Sequence, residues 1–390
     1  MCSHLAYWTN CDEAQMDRMF RQSGLMREKW DERHGAQTYG AMTLNLALRT
    51  VTPYLSPVDS IRGMANNSVE VRSEVSSVKF VGEYLMQKFK SDIDRFSGYR
   101  YRKTGYSNLD EKMSLYPGLY VLGAVSSLGK TTFVGQLADQ LSEAGDHVLY
   151  FSLEQSEFEL VSKGISRMTA RENLETAVSA IKIREGYLTD SVERAIENYR
   201  SIATTEAIIE CGFDTTIETI TETVRNYISQ TGVRPVVIVD YLQIVRPVDL
   251  RQSAKDAVDG HVRAFKKLQV DNDLVVILIS SLNRANYLTP VDFESFKESG
   301  GIEYTADVIW GLQLKIMNSE IFEGEKKLKQ KRDAVRQAKN ENPRKIELVC
   351  LKNRYGLSSY SCDFLYYARY DLFVPVKGEC EDSMRRRVRL

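Results

Sequence analysis

A loop of small residues separates an apolar run from a helix-forming run in residues 116–132. The loop reads Ala-Val-Ser-Ser-Leu-Gly-Lys-Thr from Ala124 to Thr131, between the apolar residues 119–122 and residues 133–144. This order predicts a buried strand, a loop and a helix. In such a unit, backbone N–H groups and the helix N-terminus point at the β- and γ-phosphates of a nucleotide. The sequence therefore predicts a phosphate-binding loop.

The side chains of this loop suit a nucleotide bound with magnesium. Lys130 supplies a positive charge, and the Thr131 hydroxyl supplies a ligand for Mg²⁺. The motif ordinarily begins with glycine, whereas this chain has Ala124 there and Gly123 one position earlier. We interpret this alanine as a tolerated small residue. The residues predicted to contact the nucleotide here are Ala124, Ser126, Ser127, Gly129, Lys130, Thr131 and Thr132.

Two acidic residues at the ends of predicted strands could complete the chemistry of hydrolysis. Hydrolysis of a nucleotide needs a magnesium ligand and a group that orients the attacking water. Asp240 follows the apolar residues 236–239 and is predicted to hold Mg²⁺, through water. Glu154 ends the strand after the loop helix, and we expect it to polarise the water if the two strands are near neighbours. The alternative for Glu154 is a helix N-cap or an exposed acid.

Two groups of basic residues lie toward the C-terminus. Lys352 and Arg354 follow the strand predicted for residues 345–351, and their spacing makes both side chains project the same way. They could reach the γ-phosphate held by a neighbouring subunit, or they are ordinary surface charges. Residues 319–345 form either a solvated helix or insertion, or an arm that contacts phosphates. Their basic residues are Lys326, Lys327, Lys329, Lys331, Arg332, Arg336, Lys339, Arg344 and Lys345.

Composition restricts the class of protein. With 390 residues the chain has room for one large core and one or two appendages. A hydrophobic fraction of 43% without an apolar run near 18 residues predicts a soluble protein with no membrane helix, and the absence of a leader predicts the cytoplasm. Six scattered cysteines predict reduced thiols. A net charge of -1 predicts that any nucleic-acid site is confined to a pore or groove.

The order of apolar runs and helical patterns predicts an α/β fold. Strands are predicted at 147–153, 207–211, 235–240, 274–281 and 345–351. Helices are predicted at 158–171, 174–201, 217–229 and 258–270. Such alternation indicates a mostly parallel sheet covered on both faces, with function at the carboxyl ends of its strands. The predicted domains are 1–51, a small helical segment; 52–99, a linker and amphipathic helix; 100–375, the nucleotide-binding core; and 376–390, a basic tail.

The first hundred residues carry two helical patterns. The first segment is predicted to be helical from about Cys11, with Asn10 or Asp12 as the N-cap, and again at 43–49. Apolar residues then recur at helical spacing before the core, at Val78, Val81, Leu85, Phe89, Ile93 and Phe96. This amphipathic helix could pack on its own core or on a neighbouring subunit.

The core resembles DnaB-type replicative helicases from about residue 100 to residue 375. The matching motifs occur in the family's order, and the most diagnostic are Asp-Tyr-Leu-Gln from Asp240 and Glu-Ser-Gly-Gly-Ile-Glu from Glu298. The others are Lys103-Thr-Gly, Leu109-Asp110, the loop 124–131, Phe151-Ser-Leu-Glu154, Ile279-Ser-Ser-Leu-Asn-Arg284, Ala306-Asp307 and Lys352-Asn-Arg-Tyr-Gly356.

This resemblance implies a RecA-like ATPase that forms a ring, usually hexameric, with ATP and Mg²⁺ bound between subunits and single-stranded DNA in the centre. It implies that Glu154 is the catalytic carboxylate beside Lys130, and that Lys352 and Arg354 act across the subunit interface. The segment matching Lys297, Glu298 and Gly300 is implied to follow the DNA backbone.

Two departures from the family pattern bear on function. Ser281 stands where the family usually has a glutamine that senses the γ-phosphate. We therefore add Ser281 to the residues predicted to contact the nucleotide, together with Asp240. A serine hydroxyl reaches less far than a glutamine side chain. We therefore expect weaker coupling between the γ-phosphate and DNA, or coupling through Asn283 or Arg284 instead. The family's usual N-terminal collar domain is also replaced here, by the small helical segment. The family's standard way of recruiting a primase or loader protein is therefore in question for this chain.

The N-terminal segment resembles the small helical domain that follows the polymerase module in phage and plasmid primase-polymerases. The matching residues are Ser23, Gly24, Leu25, Lys29, Trp30, Asp31 and Glu32. The resemblance covers about 45 residues and carries no polymerising chemistry. The segment is either a docking domain or a direct binder of DNA or of a primase.

Three functions are compatible with these patterns. The first is an ATP-driven DNA helicase of a phage, plasmid or integrated element. The second is a RecA-like ATPase that binds single-stranded DNA as a loader or recombination mediator without unwinding. The third is a scaffold that keeps the nucleotide site for assembly only.

Overall fold

The computed structural model describes most of the chain and divides it into two compact units, Met1–Phe80 and Val81–Leu390. The described residues are 2–9, 12–35, 37–50, 81–247, 253–283, 287–296, 300–322 and 328–376. None of the helices within these ranges is both long enough and apolar enough to cross a membrane.

Within its described residues, the N-terminal unit contains three helices and a two-stranded hairpin. The sequence did not predict the hairpin. Their bounds are α1 Cys2–Trp8, α2 Glu13–Arg21, α3 Tyr39–Thr50, β1 Arg33–His34 and β2 Gln37–Thr38. Asp12 caps α2 by accepting a hydrogen bond from the Gln15 N–H at 2.9 Å, as one of the two predicted caps. A small core holds the helices together, with Phe20 and Trp30 stacked at 3.8 Å between ring centroids.

A nine-stranded sheet is the centre of the second unit. Its strands are β3 Gly118–Ala124, β4 Val148–Ser152, β5 Glu206–Glu210, β6 Val236–Asp240, β7 Val275–Ser281, β8 Val308–Leu314, β9 Arg344–Asn353, β10 Ser361–Tyr367 and β11 Leu372–Pro375. The order across the sheet is β11-β10-β9-β8-β3-β7-β6-β4-β5. The strands from β8 to β5 pair in parallel, which confirms the predicted α/β fold.

Helices flank the sheet and connect its strands. Their bounds are α4 Val81–Gln87, α5 Phe89–Gly98, α6 Ser107–Asp110, α7 Lys130–Glu143, α8 Glu157–Glu172, α9 Ala180–Arg184, α10 Asp190–Ile202, α11 Ile217–Thr231, α12 Ala254–Asn272, α13 Gly300–Thr305 and α14 Leu328–Asn340. The single helix predicted at 174–201 is wrong. The chain forms α9 and α10 there, because Gly186 takes φ +87° and Thr189 caps a new helix.

The strand predicted at 345–351 is present as part of β9, but it is not the last strand of the sheet. Two more strands, β10 and β11, follow β9, and β9 pairs with β8 in the antiparallel direction. The end of β9 therefore lies at the edge of the sheet where the parallel strands begin. Lys352 and Arg354 consequently stand at the edge opposite to the phosphate-binding loop of their own chain.

The amphipathic pattern before the core forms two helices, α4 and α5, which meet at Lys88. None of their side chains is buried, and Leu85, Ile93 and Phe96 are 51%, 49% and 48% exposed. α5 contacts the core at its C-terminal end, where Phe96 stacks on Tyr116 at 4.7 Å between ring centroids. Val78, part of the same predicted pattern, lies outside the described residues. The apolar face of α4 and α5 is therefore accessible in a single chain.

An aromatic cluster joins the loop helix to the C-terminal hairpin. Phe133 of α7 stacks on Tyr106 at 4.5 Å between ring centroids and meets Phe364 of β10 edge-on at 5.4 Å. Phe373 of β11 contacts Phe133 edge-on at 5.3 Å. This packing fixes β10 and β11 beside α7, although more than 200 residues separate them in the chain.

We expect Phe133→Ala to destabilise the protein more than the same change at Phe158. Phe133 is fully buried, and Phe158 is 61% exposed on α8. Loss of a buried phenyl ring costs about 3–5 kcal/mol, and an exposed substitution changes stability by less than about 0.5 kcal/mol. Urea unfolding followed by circular dichroism measures both. Equal losses in the two variants would contradict the described core.

Candidate nucleotide site

The phosphate-binding loop joins β3 directly to α7. Ala124 ends β3 as a fully buried strand residue, so its methyl group fits where the motif usually has glycine. The left-handed positions of the loop are Ser127 at φ +67° and Gly129 at φ +86°. A Cβ atom on Gly129 would approach the ring of Tyr366 to 2.9 Å, so this position requires glycine. The interpretation of Ala124 as a tolerated residue agrees with this geometry.

Lys130 begins α7 and points back into the loop. Its Nζ donates a hydrogen bond to the Ala124 carbonyl at 2.9 Å. Burial lowers the pKa of Lys130, and the nearby charges of Asp240 and Glu154 oppose that shift. The three side chains thus act on one another electrostatically at the N-terminus of α7, where an anion is stabilised.

Asp240 ends β6 and is 2% exposed. Its Oδ2 accepts a hydrogen bond from the Tyr150 hydroxyl at 2.9 Å, and its carboxyl group also accepts one from Thr131. Burial raises the pKa of Asp240, whereas both hydrogen bonds act to lower it. Thr131 and Asp240 therefore stand together, and their role as magnesium ligands stays a prediction.

The donor set of Thr131 and Asp240 fits Mg²⁺. Both side chains offer hard oxygen ligands, and proteins commonly bind Mg²⁺ through one or two carboxylates together with substrate phosphates and water. Within the described ranges, no group of three or more His, Cys, Asp and Glu side chains is placed to hold a metal ion. A magnesium ion would accordingly bind together with the nucleotide.

Glu154 reaches the site although β3 and β4 are not near neighbours. β7 and β6 lie between them, so the condition attached to this prediction is wrong. β4 ends at Ser152, and the Leu153 N–H then donates to the Asp240 carbonyl at 2.8 Å. The next residue, the exposed Glu154, lines the same cavity as Lys130.

A cavity of about 520 Å³ brings the predicted residues together. Its lining includes nearly all of the residues that the sequence predicts for the nucleotide site in this chain. Those present are Ser126, Ser127, Gly129, Lys130, Thr131, Thr132, Glu154, Asp240 and Ser281. Ala124 lies beneath the loop at the end of β3 and is absent from the lining.

The cavity also contains residues that sequence reasoning missed as site residues. They are Gln155, Lys163, Tyr241, Arg344, Tyr366 and Asp371. Arg344 donates to the Ser127 carbonyl at 3.0 Å and lies over the Tyr366 ring at 5.8 Å. Asp371 accepts a hydrogen bond from the Thr132 hydroxyl at 2.9 Å. Tyr241 belongs to the Asp-Tyr-Leu-Gln motif and Arg344 to the basic stretch 319–345, but no motif or spacing connected the other four residues with the loop.

Gln243, from the Asp-Tyr-Leu-Gln motif, lies against the end of β7. Its Oε1 accepts a hydrogen bond from the Ser281 N–H at 3.3 Å, and its Nε2 donates to the Ser280 hydroxyl at 2.8 Å. An amide side chain from the 3-10 turn after β6, Leu242–Ile244, thus stands beside the serine that replaces the family glutamine. Of the two substitutes suggested by the sequence, Arg284 lies outside the described residues.

Lys352 and Arg354 are absent from the cavity of their own chain. Asn353 pairs with Val308, which pairs with Tyr120, four residues before β3 ends. At about 3.3 Å per residue, this places them about 13 Å back along the sheet. Lys352 donates to the Glu303 carbonyl at 2.6 Å, and Arg354 donates to Asp307 at 3.1 Å.

The segment predicted to contact DNA is described only in part. Lys297 and Glu298 lie outside the described residues, and Gly300 is the first residue of α13. In the basic stretch, α14 lies beside the loop, with Lys339 donating to the Ser126 carbonyl at 3.4 Å. Lys339 and Arg344 therefore contact the nucleotide loop itself.

The fold and the site define a class, the RecA-like P-loop nucleotide-binding proteins. The chain belongs to the DnaB-like helicase C terminal domain family, which matches residues 102–374. The NrS-1 polymerase HBD domain family matches residues 1–57. Both resemblances inferred from the sequence are confirmed.

Relatives and solved structures agree with this assignment. Replicative DNA helicase DnaB of Haemophilus influenzae is 27% identical over 56% of this chain and 47% of its own length. A probable replicative DNA helicase of Trieres chinensis is 24% identical over 74% of this chain and 60% of its own length. The chain thus spans about half the length of these curated relatives.

Two solved structures share the fold of the second unit. The ATPase domain of G40P matches 77% of this chain and 100% of its own, with a TM-score of 0.61 and 21% identity. A DnaB-like replicative helicase, described with its interactions with primase, matches 77% of this chain and 68% of its own, with a TM-score of 0.60 and 22% identity.

We expect Lys130→Ala to abolish nucleotide turnover and leave the fold intact. The substitution removes the charge from the cavity, whereas Lys130 contributes only one hydrogen bond to the loop. Lys267→Ala is the matched control, because that side chain is 73% exposed on α12. Phosphate release and circular dichroism measure the two properties. Parental turnover in Lys130→Ala would remove the nucleotide assignment.

Proposed function

We propose that this chain is an ATP-dependent DNA helicase of the DnaB type. In this proposal it forms a ring, hydrolyses ATP between subunits and moves along single-stranded DNA during replication of a phage or mobile element. The observation that carries the proposal is the meeting of Lys130, Glu154 and Asp240 at one cavity in a chain of this family.

Each group at the cavity has a part in ATP hydrolysis. The loop N–H groups and Lys130 bind the phosphates, and Thr131 with Asp240 holds Mg²⁺, which neutralises charge on the β- and γ-phosphates. Glu154 orients the attacking water, since its carboxylate lines the cavity and stays exposed. The remaining requirement is a positive charge that stabilises the transition state.

Two features support a ring in which that charge comes from a neighbour. Lys352 and Arg354 stand at the opposite edge of the sheet from the loop, so a head-to-tail contact would bring them to the next subunit's cavity. The exposed apolar face of α4 and α5 supplies a surface for such a contact. We propose a homo-oligomer with these contacts, as a hexamer.

The proposed DNA contact is local, as the net charge of -1 requires. We propose that the segment with Lys297, Glu298 and Gly300 follows the DNA backbone in the centre of the ring. The match of residues 1–57 to the NrS-1 polymerase HBD domain supports a replication role in a mobile element. We propose that this unit docks a primase or loader and that the protein works in the cytoplasm.

We expect the protein to separate the strands of a forked DNA duplex only when ATP and Mg²⁺ are present. Displacement of a fluorescent strand measures this, with Lys130→Ala as the inactive control. ATP turnover that rises with single-stranded DNA but without strand displacement would favour a loader or recombination mediator. Turnover that ignores DNA would contradict the motor.

We expect mixed rings of Arg354→Ala and Glu154→Gln subunits to regain part of the ATPase activity that each variant loses alone. A working site then needs Glu154 from one subunit and Arg354 from the next. Random mixing at equal amounts gives such pairs at about one quarter of the interfaces of a head-to-tail ring. Phosphate release after co-refolding measures the recovery.

The control for this experiment is a mixture of Arg354→Ala and Lys352→Ala subunits. If one subunit supplies both Lys352 and Arg354 to an interface, that interface works only when both residues are intact. Every subunit in this mixture lacks one of them, so the two variants cannot complement each other. Persistent inactivity of the Arg354→Ala and Glu154→Gln mixture would place Arg354 outside any shared site.

A further inference from the structure

Asp307 is a buried carboxylate that binds two cationic side chains at the edge of the sheet that carries Arg354. It stands directly before β8, and 3% of its side chain is exposed. Its Oδ1 accepts a hydrogen bond from Arg354 Nη1 at 3.1 Å, and its Oδ2 accepts one from Lys266 Nζ at 2.6 Å. A buried charge is stable only when it is paired and hydrogen-bonded, and Asp307 meets both conditions.

The backbone holds this carboxylate rigidly between two strands. The Leu119 N–H donates to Asp307 Oδ2 at 2.8 Å, and the Asp307 N–H donates to the Leu119 carbonyl at 2.8 Å. The Arg354 N–H then donates to the Asp307 carbonyl at 3.0 Å. Asp307 therefore cannot move without disturbing β3 or the end of β9.

Arg354 is held along one side only. Its Nη1 binds Asp307, its Nη2 lies 3.5 Å from the Tyr304 carbonyl, and 51% of the side chain is exposed. A guanidinium carries five N–H donors in a rigid fork. Asp307 can thus fix the direction of the fork while the exposed part remains available for a phosphate.

The surrounding charges require such a tether. Lys266 and Lys352 lie close to Arg354, and the charge of Arg354 contributes, after burial, to the lowered pKa of Lys352. Without the carboxylate, repulsion from the two lysines would drive the long Arg354 side chain into solvent. An unrestrained arginine loses rotamer entropy when it binds a phosphate, and a tether reduces that loss.

We propose that Asp307 is a positioning residue for ATP hydrolysis, which aims the Arg354 guanidinium at the γ-phosphate held by the neighbouring subunit. The inference rests on the proposed function, in which Arg354 acts across the interface. Asp307 is absent from the lining of its own chain's nucleotide cavity, and in this inference it acts on the reaction through Arg354.

The first test compares loss of the Asp307 charge, which holds Arg354, with loss of Lys266, the other cationic partner of Asp307. Asp307→Asn keeps the size and the acceptor for the Leu119 N–H but removes the charge that holds Arg354. A trans arginine contributes about 10³-fold or more to turnover, so its misplacement should lower kcat at least about tenfold. The KM for ATP should stay unchanged, because the loop, Lys130 and the magnesium ligands that bind ATP are unaltered. Lys266→Met removes the other ion pair and controls for lost stability.

The second test uses mixed rings. Asp307→Asn and Glu154→Gln subunits should complement each other as Arg354→Ala and Glu154→Gln subunits do, because the defect lies in the subunit that donates the arginine. Asp307→Asn added to Arg354→Ala should cause no further loss of kcat. If Glu154→Gln subunits regain activity with Arg354→Ala subunits but not with Asp307→Asn subunits, this inference is overturned and the proposed function stays in place. Failure of both mixtures would overturn the two together.

Asp307→Glu keeps the test decisive if Asp307→Asn does not fold. The longer side chain retains the charge but displaces Arg354 by one methylene group, so we expect a folded protein with reduced kcat and unchanged KM. Parental kcat in a folded Asp307→Glu variant whose thermal melting matches the parent would overturn the proposal.

Discussion

The parallel pairing of β3, β7, β6 and β4 is the constraint on which the site depends. It places the loop after Ala124, the carboxylate of Asp240 and the turn that carries Glu154 at one edge of the sheet. These groups converge because parallel strands end on the same side. A cavity lined by charged groups is costly to maintain, and the buried, mostly apolar residues of the four strands stabilise the edge that carries it.

The direction of β9 separates two kinds of basic residue. Arg344, at the beginning of the antiparallel strand, contacts the loop of its own chain, whereas Arg354, just beyond the end, stands at the far edge. One strand therefore carries positive charge to both edges of the sheet. In the proposed ring of identical subunits, this arrangement would let each chain supply one basic group to its own nucleotide and another to its neighbour's.

The sequence predicted the parts of the site that depend on local pattern. The loop at 124–131 and the acid after an aliphatic strand, Asp240, are recognisable without knowledge of the sheet. Arg344 and Asp371 were missed as site residues because they reach the loop through strand pairings that no short motif specifies. The edge at which Lys352 and Arg354 stand was also beyond prediction, since an apolar run does not reveal whether its strand is parallel or antiparallel.

The hairpin of β10 and β11 ties the end of the described chain to the nucleotide loop. Asp371 stands in its turn and binds the Thr132 hydroxyl, while Phe373 packs on Phe133 of the loop helix. β11 is the outermost strand of the sheet, and these two contacts connect it to the nucleotide loop. A nucleotide in the cavity would therefore stabilise β11. Bound nucleotide would thus protect this last strand from proteases, and a shortened chain that ends before it would lose affinity for the ligand.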